Sequence, residues 1–139
     1  MPFREKIAWI TLGAVLLLAT IYFGGLIGSH AGPAVLRIHS IVLLIGAVII
    51  ATLYSIIATT IVALRGRDEA TAPADERDRM ISTRAASIAY PVLILAMLAA
   101  GISAHLGNSL IGVLNALLGA LVVAELVRCA AEIIGYRRS

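Results

Sequence analysis

The feature that most limits what this chain can become is the length of its uncharged runs. No Asp, Glu, Lys or Arg occurs from Ile7 to Ile27, from Ile41 to Leu64, or from Ala85 to Ala124. A helix needs ~20 residues at ~1.5 Å each to cross the ~30 Å hydrocarbon layer of a bilayer. The first two runs are each long enough for one crossing, and the third allows two when Gly107-Asn108-Ser109 is read as a turn. The expectation is an all-α integral membrane protein, a four-helix bundle built from two hairpins. Its spans are expected at about 7–27, 41–64, 88–106 and 110–134, in a single membrane domain covering 1–139. Composition agrees, since 60% of the 139 residues are hydrophobic and only 14% are charged, outside the range of ordinary soluble domains. The first run is too long for the apolar part of a cleaved signal peptide, ~7–15 residues, and is expected to remain as a helix.

One long polar passage, Arg65 to Ser87, separates the two hairpins and holds five Arg and five Asp or Glu. Ten of the eleven Lys and Arg fall in the N-terminal lead, this passage, the end of the last span or the tail; Arg37 alone does not. Because basic residues are retained on the cytoplasmic side, both termini and the linker are expected in the cytoplasm of a cell whose inner membrane holds the protein. A formal charge of +3 is too small to argue for direct nucleic-acid binding.

Within the linker, residues 65–74 carry no apolar period and read as loose. Pro73-Ala74-Asp75 then reads as a helix start, with Asp75 as N-cap, Glu76 in the first turn and Asp78 at the third helical position, where carboxylates suit the helix dipole. That helix would run on into the third span, past a possible hinge at Pro91. Gly32-Pro33 reads as the breaker of the outer turn before the second span. Small residues recur every four positions at Ala47, Ala51, Ser55, Thr59 and Ala63, and again at Gly112, Ala116, Ala120 and Ala124. Such stripes let helices approach closely in lipid, so they are expected to face protein. The Gly24, Gly25 and Gly28 group reads either as another such face or as the frayed end of the first helix. Trp9, Tyr22 and Phe23 suit the interfacial aromatic belts.

Three constellations could carry chemistry. Glu125, Arg128 and Glu132 stand on one face of the last span, where a charge costs ~2.5–3.5 kcal/mol on insertion scales and is normally paired. They read as a proton or cation site, or as a ladder in which Arg128 holds both carboxylates; pairing near the interface favours the ladder. His30, His39 and His105 all fall at outer ends of spans and could converge on a metal or haem, but no ligand spacing is present and no carboxylate accompanies them. The third is the arm Asp75, Glu76, Arg77, Asp78, Arg79 and Arg84. Its charges of both signs surround a partial apolar stripe of Met80, Ile81, Ala85 and Ile88, and it reads as a docking helix or as a merely solvated helix start. Cys129 is single, so it cannot form an intrachain disulfide, and it reads as an apolar packing residue. No phosphate loop, nucleophile elbow or metalloprotease helix occurs. With histidines and carboxylates on opposite sides, a hydrolytic triad is not expected.

The arm resembles the passage between spans two and three in a family of small four-span bacterial and archaeal membrane proteins without an assigned function. The matching residues are Asp75 to Asp78, Ile81, Arg84-Ala85 and the Tyr136 to Arg138 tail; the first half of the chain matches only in layout. The resemblance implies a role in membrane-linked regulation, because members are often encoded beside helix-turn-helix regulators. It implies no catalytic residues. The reading is thus a non-enzymatic membrane protein without a cofactor that docks a cytoplasmic protein, such as a regulator, on residues 75–84. The alternatives are a small proton-coupled carrier using Glu125, acting as a homo-oligomer because four helices enclose little volume, and a binder of haem or metal through the outer histidines.

Overall fold

A computed structural model describes residues 3–28, 33–66 and 75–138. The fold is all-α, with four helices among the described residues: α1 (Phe3–Ile27), α2 (Pro33–Arg65), α3 (Glu76–His105) and α4 (Leu110–Arg138). All four are long and apolar enough to cross a membrane. The loose passage expected up to residue 74 lies, from residue 67 on, outside the described residues, as does His30.

Each helix begins and ends where local chemistry allows. At α3, Asp75 is extended, its Oδ1 accepts from the Glu76 amide at 2.7 Å, and the Asp78 carboxylate accepts from the Asp75 amide at 3.3 Å. This reciprocal capping box leaves fewer orphan amides at the helix start. The helix runs unbroken through Pro91 to His105. It stops because Gly107 takes φ 83°, a left-handed conformation open to glycine at little cost. The Gly107 amide then donates to the Ala104 carbonyl at 3.3 Å, and the Ser109 hydroxyl caps α4 by accepting from the Gly112 amide at 3.2 Å.

The start of the second helix differs from the sequence expectation. Helix α2 starts at Pro33, well before residue 41. Proline's fixed φ and missing amide suit the first helical position, so Pro33, read from the sequence as part of a breaker, begins the helix. Inside the helices, the hydroxyls of Thr11, Thr20, Ser87 and Ser103 donate to carbonyls one turn back, at 2.6 to 3.0 Å. These polar side chains are therefore satisfied within their own helix.

The chain divides into two compact units, Met1–Thr71 and Ala72–Ser139. In the first, α1 packs on α2. A Cβ on Gly13 would come within 2.7 Å of the Tyr54 hydroxyl, and one on Gly25 within 2.9 Å of the Leu43 methyls. Moving along α1 from Gly13 to Gly25 thus moves back along α2 from Tyr54 to Leu43, and the two helices are antiparallel. Of the Gly24, Gly25 and Gly28 group, only Gly25 has its partner on another helix; Gly24 is open and Gly28 closes the last turn of α1. Ala47 and Ala51 of the small stripe are buried, at 0% and 7% exposure. Tyr22, assigned above to an interfacial belt, is instead buried; it forms part of the interior, whereas Trp9 faces out.

In the second unit α3 packs on α4. Ala85, Ala89 and Ala100 of α3 and Ala120, Ala124, Cys129 and Ile133 of α4 are buried. A Cβ on Gly135 would meet the Ile81 Cγ2 at 2.7 Å, so backbone and side chain are already in contact there. Gly112 and Ala116, at the other end of the second small stripe, are exposed. Cores built from alanine, glycine and cysteine allow close helix approach, while large aliphatic side chains such as Ile41, Ile45, Ile56 and Leu95 point outward.

Candidate functional site

The arm is the first part of α3. Asp75, Glu76, Arg77, Arg79, Met80 and Arg84 are exposed and Asp78 is half-buried. The stripe read from the sequence is divided by the fold. Ile81 lies against Gly135, and Ala85 is buried at 2% exposure, whereas Met80 (65%) and Ile88 (48%) remain outside. The arm is therefore not a lone projection: one face is held by the end of α4 and the other is presented. What sequence reasoning missed is Gly135. Its signal was available as a glycine just before the Tyr-Arg-Arg tail, but nothing in the sequence says that Ile81 meets it.

In α4 the structure brings Glu125, Arg128 and Glu132 together. The Arg128 Nε donates to both Glu125 oxygens, at 3.1 and 3.0 Å, and Nη1 donates to Glu132 Oε1 at 2.9 Å. Arg128 Nη2 also pairs with Glu125 Oε1. One guanidinium therefore bridges two carboxylates one turn before and one turn after it, a geometry that its planar fork supports. The side chains are partly covered, Glu132 most of all at 13% exposure. Glu5, near the start of α1, is also buried and was not singled out from the sequence.

His39 lies half-buried in α2, and His105 is exposed at the last residue of α3. Among the described residues no group of three or more His, Cys, Asp or Glu is arranged to hold a metal. A shallow groove of ≈ 330 Å³ lies between α3 and α4, lined by small side chains including Ala96, Ala100, Ser103, Ala116, Gly119 and Ala120. It offers almost no polar surface to a reacting group. Compared with family models, curated proteins and solved structures, the chain matches none.

Proposed function

We propose that this is a non-enzymatic, multi-pass protein of the inner membrane that holds a cytoplasmic protein partner on the presented face of α3 between Asp75 and Arg84. Membrane insertion as a four-helix bundle is supported by the many aliphatic side chains that face outward on each of the four helices, a pattern that water would penalise. The position of both termini in the cytoplasm is supported by the distribution of basic residues.

The observation that carries the docking role is the division of the arm. Ile81 and Ala85 hold it against α4, while Met80 stands exposed among Glu76, Arg77, Arg79 and Arg84. A capped, supported helix presenting a flexible thioether among charges of both signs suits protein recognition, with the Met supplying adaptable contact and the charges register. The carrier reading is weaker, because both Glu125 oxygens already accept from Arg128 and a passing cation would have to displace the guanidinium.

The test is pull-down of co-purifying protein from cells making the full chain, with Met80→Ser together with Arg79→Glu as the variant. Loss of a specific partner with unchanged membrane content supports docking; capture of the same proteins in the same amounts ends this reading. A transport phenotype abolished by Glu125→Gln would favour the carrier instead.

A further inference from the structure

The arm carries three carboxylates and three arginines between Asp75 and Arg84, and so no net charge. The fold gives that charge a direction. Asp75, Glu76 and Asp78 all stand at the first turn of α3, where Asp75 and Asp78 accept the capping amides and the positive end of the helix dipole offsets part of their charge. From Arg79 to Ser87 the helix has no carboxylate, and its only charged residues there are Arg79 and Arg84. Both are exposed, and neither makes an ion pair or side-chain hydrogen bond among the described residues. On α4, Glu132 is held by Arg128 and is only 13% exposed. The contact of Ile81 with Gly135 sets Arg137 and Arg138 level with about residues 78–81, so positive charge also exceeds negative beside Arg79.

Glu76, Met80, Thr83 and Ser87 follow at spacings of four, three and four and are all exposed. At ~100° per residue they share the face turned away from Ile81, Ala85 and Ala89, the side that packs. Arg84 borders this face on one side and Arg79 on the other. Its apolar centre is Met80, 65% exposed. Met80 lies eight residues before Ile88, or ~12 Å along the helix, beyond the ~5–7 Å headgroup layer of a bilayer. A lipid surface therefore does not cover it. Two unpaired cations are few for a nucleic acid, whose affinity grows with the number of phosphates neutralised, and the carboxylates of the first turn repel phosphate. A polypeptide with carboxylates and an apolar side chain meets every group on the face.

We propose that this face takes an acidic segment of a cytoplasmic protein, with carboxylates on Arg79 and Arg84 and an aliphatic side chain on Met80. The proposal rests on the docking reading above and names the partner's chemistry. It also sets a direction: the segment's acidic residues lie on the membrane side of Met80, away from Asp75 and Glu76, because like charges brought together across an interface oppose binding.

The experiment places p-benzoylphenylalanine at position 83, on the same face but leaving Met80 and both arginines intact, in the full chain made in cells. After irradiation the cross-linked peptide is identified by mass spectrometry. The expected product is a protein segment in which Asp and Glu outnumber Lys and Arg within about seven residues, two helical turns, of the cross-link. Arg79→Gln/Arg84→Gln is expected to lower its yield about fivefold at equal membrane content, the loss of two exposed ion pairs, and Arg79→Lys/Arg84→Lys to keep most of it. Cross-linking to a neutral or basic segment, or a yield that survives the double Gln change, overturns the acidic partner and leaves the docking reading standing. Products that contain only lipid, only nucleic acid or only residues 67–74 of this chain sink both, as does the absence of any product from a chain present in the membrane.

Discussion

Gly135 and Gly101 both lie inside apolar helices, but a methyl group would meet very different surroundings at each. At Gly135 it would strike Ile81 Cγ2 at 2.7 Å, and a β-branch so close to the backbone has little room to yield; at Gly101 it would meet nothing within 4 Å. Gly135→Ala is therefore expected to destabilise the second hairpin relative to Gly101→Ala by about 1–3 kcal/mol, the usual range for overpacking. Reversible unfolding of the purified protein in mixed micelles measures the difference, and equal effects would show that Ile81 and Gly135 are not in contact. Gly13 is an intermediate case, because its close neighbour is the tip of Tyr54. Gly13→Ala should cost less in a Tyr54→Phe background, although Cζ at 3.3 Å still limits the relief. Arg128 makes the opposite demand on its surroundings. Arg128→Gln leaves two carboxylates short of a cation and is expected to cost about 2 kcal/mol or more, since hydrogen bonds to charged groups contribute ~1.5–3 kcal/mol each. Replacing all three ladder residues by Gln, Met and Gln should cost less than Arg128→Gln alone, because no uncompensated charge remains. A triple variant as unstable as the single one would argue against a ladder whose role is mutual neutralisation.

At the scale of elements, the start of α3 is set by local chemistry. Asp75→Ala removes the side-chain acceptor for the Glu76 amide and is expected to cost about 1 kcal/mol. The loss should appear as faster amide exchange confined to residues 76–80, and Asp75→Asn should retain most of the protection. Protection unchanged in Asp75→Ala would mean that packing of Ile81 on α4 holds the first turn without its cap. This boundary was legible in the sequence because donor and acceptor lie within four residues of each other. The start of α2 was not. Gly32-Pro33 satisfies the pattern of a turn and of a helix start equally, and only the backbone conformation of the following residues separates the two. The arm's apolar stripe, expected as one surface, is divided between two. Ile81 and Ala85 turn toward α4 while Met80 and Ile88 do not, and the direction depends on how α3 is rotated against a helix far along the chain.

For the molecule as a whole, the outward aliphatic surface predicts behaviour that needs no knowledge of a ligand. The chain should stay with the membrane fraction after alkaline carbonate washing, and reporters placed at residue 70 and after residue 139 should both read as cytoplasmic. Release into the wash would remove the bilayer from the account, while a reporter outside at residue 70 would reverse the orientation read from arginine placement. What the sequence by itself determined is everything written in short-range spacing: helices long enough to cross a membrane, the cap at Asp75, the turn at Gly107-Asn108-Ser109, and three charges placed where one guanidinium could bridge two carboxylates. These follow from helical geometry, which repeats every few residues and needs no partner. Only the tertiary structure decided which small residues are in contact, that Tyr22 is buried, that Gly135 receives Ile81, and which half of the arm is left to be seen. Those outcomes depend on the rotation and register of one helix against another, and apolar helices whose hydrophobic residues surround them on every side carry little in their sequence to specify either.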